Sequence, residues 1–343
     1  MPTATKSLSY PFPAYPNPGE PIEVAPGIYW LITSLPFRLR SINLWLLRDT
    51  DGWTMVDCGY SIPEVHEQIE RAWSSVLDSL PITRLIVTHS HSDHMGNCLR
   101  ISTRWGISPT MTAGCYRHSQ SLFMLPWDQV GPHLLAFYRR AGVSEESIRE
   151  MHKVRHRRRQ RFDAIPEKWN RIQDGDSFEI NGHRWHVITG YGHDEEQALL
   201  HSPELGLLIS GDQIMAKISP NVSVFWDSPG ADPLTGFLKS NRRLAQLCGD
   251  VLVLASHKLP FRGLHARVRA LEAHHRERLD KIKNFLKDGP LTAAAFVPLL
   301  FGDLDAHQMG IALGEALAHL NHLVATGQAR CLEQGGLLLF ASV

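Results

Sequence analysis

Six residues, His89-Ser90-His91-Ser92-Asp93-His94, put three imidazoles and a carboxylate at the end of the apolar run Leu85-Ile86-Val87. Imidazole nitrogens and carboxylate oxygens are donors that divalent metals accept, and each is costly to bury without a partner. The i, i+2 spacing of His89 and His91 lets both rings point the same way, while Asp93-His94 lie beyond a tight turn. Two histidines then serve one metal, and Asp93 with His94 serves an adjacent one. Each metal still lacks a third protein ligand.

Three other stretches end in the same manner. A β-rich run closes on Gly190-Tyr191-Gly192-His193, a second on Gly211-Asp212, and a third, 251–255, on Ser256-His257. Strand ends gathered on one edge of a packed sheet are where α/β architectures place their chemistry. His193 and His257 are therefore the natural third ligands. Asp212 is placed to bridge both ions, which in hydrolases sit about 3.5–4 Å apart. Of the 19 histidines, His66, His118, His133, His183, His274 and His275 have no such strand-end position and read as structural.

The elements that must carry these residues follow from pattern. Residues 10–21 hold five prolines and read as an extended arm, 1–22 in all. Strands are expected at 27–32, 42–47 and 53–57, with Asp51-Gly52 marking a hairpin. A helix is expected over 62–80, with Ser61 as its N-cap and Pro63 near its first position. Pro81 ends it, a strand over 82–88 leads to the histidine cluster, a helix over 95–105 follows, and 108–113 reads as a short strand.

Residues 116–170 read as a helical insertion, with helices at 134–141 and 145–161 and joints at Pro126, Gly131 and Pro132. Within it, 153–161 holds six Lys or Arg in nine positions, with Arg157, Arg158 and Arg159 at the centre. Such a run is a solvated helix face, a contact for a substrate phosphate, or a contact for an RNA backbone. Strands then resume over 176–180, 183–189, 197–202, 205–210 and 251–255, with a helix over 233–248. From 263 onward the chain is helical (264–286, 292–301, 305–326) until a closing strand–turn–strand. The last of these helices is apolar and poor in Lys and Arg, which suits packing better than a nucleic-acid groove.

Composition narrows the class. Lys plus Arg equal Asp plus Glu at 35 each, so net charge supplies no overall attraction to nucleic acid or an anionic membrane. Five cysteines, odd in number and without a CxxC pair, point away from a disulfide framework. No run of about eighteen apolar residues is present and 1–10 lacks a signal-peptide core, so a cytoplasmic protein is expected.

With these residues in place, the chain resembles the metallo-β-lactamase-fold hydrolase superfamily. The His-x-His-x-Asp-His motif is matched by His89, His91, Asp93 and His94, the Gly-His motif by Gly192-His193, the Gly-Asp motif by Gly211-Asp212, and the last histidine by His257. Asp57, in Val56-Asp57-Cys58-Gly59, matches an early aspartate that braces the ligand loop. The resemblance implies an α/β fold, an αββα sandwich over 23–262 with the insertion as a cap. It also implies a winged-helix-like C-terminal unit over 263–343, as in a glyoxalase II-like branch.

The resemblance further implies a dinuclear metal-dependent hydrolase, with zinc first and iron or manganese as alternatives. In it a hydroxide bridging the metals attacks a carbonyl, and Asp93 orients the water. A carboxylate at Asp212 with no cysteine ligand leans toward thioester hydrolysis, of an acyl-CoA or glutathione thioester, ahead of a lactone or other ester. Single-stranded RNA cleavage and β-lactam hydrolysis come further behind. Tyr191, Arg157, Arg158 and Arg159 are the expected substrate contacts. A small acyl compound is the expected partner, with neither membrane nor nucleic acid, and a homodimer stays open. One departure stands out: Asp194-Glu195-Glu196 follows His193 where the family more often has Thr-Pro-Gly, which puts substrate contacts from that loop in doubt.

Overall fold

Strands Trp53–Val56, Leu207–Gly211 and Leu252–Ala255 are buried at every position. A strand covered on both faces loses the apolar–polar alternation and becomes a continuous hydrophobic run. The computed structural model that shows this describes residues 7–76, 80–159, 162 and 164–343, with the side chains of 157–159 and 307 outside the description. Leu77, Arg161 and the side chains of Arg157, Arg158 and Arg159 thus lie outside the described residues.

One sheet holds seven strands in sequence order: β1 (Ile22–Ala25), β2 (Ile28–Ser34), β3 (Ser41–Arg48), β4 (Trp53–Val56), β5 (Ile82–Ile86), β6 (Thr110–Met111) and β7 (Asn170–Arg171). Helices α1 (Pro63–Ser75), α2 (Ser92–Met95) and α3 (Cys98–Trp105) fall between β4 and β6. Between β6 and β7 run α4 (Ala113–Ser119), a π-helical turn at Gln120–Met124, α5 (Trp127–Arg140) and α6 (Glu145–Arg159). A second sheet is built from β8 (Ser177–Ile180), β9 (His183–Gly190), β10 (Gln197–Ser202), β11 (Leu207–Gly211) and β12 (Leu252–Ala255), with α7 (Pro233–Leu244) before the last, and its spatial order is β12-β11-β10-β9-β8. The chain closes with α8 (Leu264–Phe285), β13 (Leu291–Thr292), α9 (Ala293–Phe301), α10 (Ala306–Ala325), β14 (Ala329–Gln334) and β15 (Leu337–Ser342), the three strands forming a small sheet.

Three apolar layers hold this together. Trp30, Trp45, Ile86, Trp185, Leu200 and Leu254 fill the space between the two large sheets. Leu44, Val65, Ile69, Leu85 and Ile101 pack α1 and α3 on the outer face of the first sheet. On the outer face of the second, Leu208 and Val253 share one core with Phe237 of α7, Val268 of α8, Met151 of α6 and Leu313 and Leu317 of α10. Each large aliphatic side chain so buried contributes about 1.5–3 kcal/mol. The insertion and the C-terminal helices thus belong to the same apolar layer as the second sheet. Among the described residues no helix is long and apolar enough to cross a membrane.

Register carries the strand ends to one place. Parallel pairing of Val56 with Ile86 lines up Asp57 with Val87, and parallel β11 and β12 pair Gly211 with Ala255. The Ala198 N–H donates to Thr88 O at 2.8 Å and the Asn43 N–H to Ser256 O at 2.7 Å, so the two sheets are stitched at that edge.

Several local expectations need correction. Ser61 does not cap α1: Ile62 is the boundary residue, at φ −140°, because a residue before proline is pushed out of the helical region. The helix ends at Ser75, short of the expected 80. Asp93 and His94 lie on the helical turn α2, entered from His91, instead of past a tight turn. Gly131 and Pro132 are inside α5, where the absent Cβ of Gly131 removes one of the clashes a proline ring imposes on its predecessor. That space is filled by the Trp127 indole, 2.5 Å from where a Cβ would stand.

A buried histidine pair ties α8 to α10. His319 Nδ1–H donates to Glu315 O at 2.7 Å, so its Nε2 accepts from His275 Nδ1–H at 3.1 Å. Burial, reinforced by the mutual repulsion of the pair, lowers the pKa of His275 to about 2; burial also lowers that of His319, to about 3. A folded-state pKa below the unfolded value of about 6.5 means that stability is fully present above pH 6.5 and falls with acidification. Each neutral histidine contributes a slope of about 1.4 kcal/mol per pH unit below that point. Urea denaturation at pH 7 and pH 5 is expected to show this loss, and the His275→Gln/His319→Gln variant to show a shallower one.

Candidate metal centre

Asp57 is the first residue past β4 and adopts φ 61°, a left-handed conformation that costs an aspartate little but is seldom chosen without cause. The cause is its bonding. Its Oδ1 accepts from the Thr88 N–H at 2.7 Å and its Oδ2 from the Thr88 hydroxyl at 2.8 Å, while His94 Nδ1–H donates to Oδ2 at 2.8 Å. Arg40 and Lys258, next in sequence to Ser41 and His257, are also at positive φ.

The seven candidate donors come together as three groups. His89 Nε2 and His91 Nδ1 lie 3.0 Å apart. A donor atom of His193 joins them, all within 4.8 Å of one another. Asp93, His94 and His257 form a second group of the same kind, and His89, His94 and Asp212 a third that overlaps both. Asp212 Oδ2 is 3.5 Å from His193 Nε2 and 3.5 Å from His257 Nε2, and its Oδ1 is 3.7 Å from His94 Nε2. Asp93 Oδ2 is 3.4 Å from His257 Nε2 and 3.9 Å from His94 Nε2. Asp212 therefore faces histidines of both main groups.

The tautomers are set from outside. His193 Nδ1–H donates to Asn221 O at 2.7 Å and His257 Nδ1–H to Ser41 O at 3.0 Å, and a carbonyl can only accept. The Thr88 hydroxyl gives its proton to Asp57, so its oxygen accepts from His89 Nδ1–H at 3.1 Å. Each of these rings, with His94, keeps its proton on Nδ1 and turns its Nε2 inward. The Nε2 atoms of His94, His193 and His257 and Oδ1 of Asp212 are buried with no hydrogen-bond partner among the described residues. Ions bound at about 2.0–2.2 Å would span tetrahedral donor pairs about 3.3 Å apart, close to the spacings found. The residues fit a pair of divalent ions, with the outward hydrogen bonds that metal-binding histidines use for orientation.

The electrostatics divide the set, with His89 and His91 favoured neutral and His94 and His257 favoured charged in the absence of an ion. Burial works against the Asp212 charge, but His257 and His94 hold its pKa well below the usual carboxylate range. Burial opposes ionisation of Asp93 too, and His94 and His257 again hold it low. Burial and the neighbouring His94 push His89 well below 6.5, and burial with His193 pushes His91 to about 3. For His94, burial lowers the pKa but Asp57, Asp212 and Asp93 outweigh it and raise it well above 6.5.

Three braces were not visible in the sequence. Asn43, buried in β3, donates through Nδ2 to Ala255 O at 2.8 Å and Lys258 O at 2.7 Å, fixing the turn that carries His257. His118 of α4 pairs with Asp194 Oδ1, while Asp194 Oδ2 accepts from the Ser90 N–H at 2.6 Å. The Ser90 hydroxyl meets the same nitrogen of His118 at 3.1 Å, so this trio lacks the free base that a nucleophilic serine needs. The unusual acidic triplet as a whole faces α4: Glu195 pairs with Arg117, and Glu196 Oε2 accepts from the Gly114 N–H at 3.0 Å. A polar residue inside the apolar run Ile42-Asn43-Leu44 was the one available signal.

The Tyr191 Cβ lies against α7 at Gly236, and the Tyr191 hydroxyl accepts from Thr189 Oγ1 at 3.3 Å. In the basic run, Lys153 pairs with Glu150 at 2.7 Å and Arg155 donates to Leu122 O at 3.2 Å. Asp57 offers the sharpest test of the braces. Asp57→Asn leaves one acceptor oxygen where three donors converge, and metal affinity is expected to drop about 10–100-fold in chelator competition while the chain stays folded.

Known proteins share this fold. Residues 38–288 match the family model of the metallo-beta-lactamase superfamily, and 279–343 match that of the metallo-beta-lactamase-like C-terminal domain. A beta-lactamase domain protein from Burkholderia ambifaria is 39% identical, with a TM-score of 0.90 and 98% of each chain covered. A metallo-beta-lactamase family protein from Thermus thermophilus is 25% identical, with a TM-score of 0.80 over 94% of this chain and 100% of that one. "Probable metallo-hydrolase YqjP" of Bacillus subtilis (strain 168) is 23% identical over 318 residues, 90% of this chain and 95% of that one. With more than half of its length matched by one family model and His and Asp donors gathered at the strand ends, the chain belongs to the metallo-β-lactamase superfamily, as a metallo-hydrolase.

Proposed function

We propose that the protein hydrolyses a thioester at this centre, through two divalent ions held by His89, His91 and His193 on one side and Asp93, His94 and His257 on the other, with Asp212 between them. The observation that carries the reading is the make-up of the gathered donors, imidazoles and carboxylates alone among the described residues. Asp93 and Asp212 are held as carboxylates, and the inward imidazole nitrogens, once they hold ions, carry no proton to give. His118 is committed to Asp194. A leaving group must then depart on its own stability. A thiolate, with a conjugate acid near pKa 8.5, does so; an alkoxide needs a proton.

Bound ions would bring a captured water toward ionisation near neutral pH and polarise the acyl oxygen. The chain's own part is positional. Asp57, Thr88, Ser41 O and Asn221 O fix the histidine tautomers, and Asp93, 3.4 Å from His257 Nε2, would orient the water. The gathered donors are imidazole and carboxylate alone, without a thiol. Cys58, Cys98 and Cys115 are buried elsewhere, Cys58 with its thiol donating to His94 O at 3.1 Å.

The test is a substrate panel of acyl-CoA, glutathione thioester, lactone, carboxylate ester and cephalosporin, run before and after chelation. Thioester kcat/KM is expected to exceed the others at least about tenfold, since a tenfold preference is only about 1.4 kcal/mol of transition-state binding. Chelation should abolish the activity and added metal restore it. A faster lactone or cephalosporin would remove the thioester reading, and a His89→Ala variant with full activity would remove the site.

A further inference from the structure

His193 is held from two directions, and both lead to the C-terminal helix α10. Its Nδ1–H donates to Asn221 O at 2.7 Å, in a loop over 219–226 that has no strand or helix of its own. Val222, Ser223 and Val224 of that loop are buried, so their backbone groups need protein partners. α10 supplies one: the Val224 N–H donates to Gly314 O at 3.0 Å. Ser223 Oγ lies 3.5 Å from Ile311 O and accepts from Asn221 Nδ2 at 2.7 Å. The approach is close enough that a Cβ on Gly314 would stand 2.8 Å from Ser223 Oγ, 2.9 Å from its Cβ and 3.1 Å from Val224 O.

The second path runs through α7. Asn321 of α10 donates to Pro229 O at 3.0 Å and Ala231 O at 2.8 Å, and His322 Nδ1 lies 3.3 Å from Asp232 Oδ2. Asp232 caps α7 by accepting from the Thr235 N–H at 2.9 Å. The first turn of α7 then confines Gly192, the residue before His193, at φ 100°, where a Cβ would meet Pro233 O at 2.5 Å and Phe237 Cβ at 2.6 Å.

The other metal group is braced differently. Asp57 holds His94, while Ser41 O and Asn43 hold His257 and its turn. Those residues belong to the first sheet and its loops.

We propose that α10 is a positioning element of the metal centre. By fixing the 219–226 loop and the start of α7 it sets His193, so the C-terminal unit governs occupancy of the position shared by His89, His91 and His193 and leaves the Asp93, His94 and His257 position alone. This rests on His193 being a ligand.

The test titrates metal-free full-length protein with zinc or cobalt and reads stoichiometry and affinity by calorimetry and chelator competition. Wild type is expected to take two equivalents. Gly314→Ala is expected to keep one at wild-type affinity and to bind the other about 10–100-fold more weakly, as outer-shell changes do. In a His193→Ala background, which itself loses that equivalent, Gly314→Ala is expected to change nothing further. If His193→Ala loses one equivalent and Gly314→Ala binds both as wild type, the role of α10 is refuted while the ligand reading stands. If His193→Ala keeps both at full affinity, the ligand reading falls and takes this inference with it. Should Gly314→Ala fail to fold by circular dichroism, Ser223→Ala takes its place. It removes the hydroxyl that joins Asn221 to α10, and the same position should weaken; unchanged binding there would equally refute the inference.

Discussion

The fold depends on one constraint: several buried donor atoms must face one another with nothing else to bond. Leaving a buried polar atom unpaired costs about 1–3 kcal/mol, and here His94, His193, His257 and Asp212 each present one. No single element could impose that. The atoms arrive on loops from β5, β9, β11 and β12, in two different sheets, and the sheets are joined where those strands end. The left-handed turn at Asp57 is part of the same solution, because it lets one carboxylate accept from Thr88 twice and from His94 once. An uncommon backbone conformation is retained where surrounding bonds over-determine it, and this is such a place.

The outward bonds do a second job that the inward geometry could not. An imidazole offers a lone pair on one nitrogen only when its proton is anchored on the other. Backbone carbonyls at Ser41 and Asn221 anchor it without adding charge, whereas Asp57 anchors it with a full negative charge. Against the effect of its burial, Asp57, with Asp212 and Asp93, raises the pKa of His94. His91 differs from the rest in turning Nδ1 inward, 3.0 Å from His89 Nε2, as a ring two residues along the same loop must if both are to converge.

Legibility in the sequence followed chemistry that side-chain types can announce. Three imidazoles and a carboxylate in six residues identify themselves, and a histidine or aspartate that ends a β-rich run points to the same edge. The layered architecture was legible only through the family resemblance, although strands buried on both faces did show as continuous apolar runs. What stayed hidden were bonds from a side chain to a distant main-chain carbonyl. Asn43 meets Ala255, a residue 212 positions away, through an atom every residue possesses. His118 looked ordinary because its partner, Asp194, sits in a stretch whose meaning comes only from α4 lying over it. Local rules also lost to context: Gly131-Pro132, a helix breaker by composition, rides inside α5 because the Trp127 indole occupies the missing Cβ space.

The same distinction explains why the C-terminal helices should matter to catalysis without touching it. α10 carries no Lys or Arg and packs on α6, α7, α8 and α9, so most of its surface is spent on packing. Packing against a strand would only add stability. Packing against an irregular buried loop also fixes a conformation, because such a loop has no ladder of its own and takes its shape from whatever satisfies its amides. The 219–226 loop is in that position, with Gly314 O as the acceptor for Val224 and Asn221 O as the anchor of His193. A glycine at 314 permits a contact distance that any side chain would lengthen. A side chain carried on a loop is only as well positioned as the element that holds the loop, and for the loop that anchors His193 that element is α10.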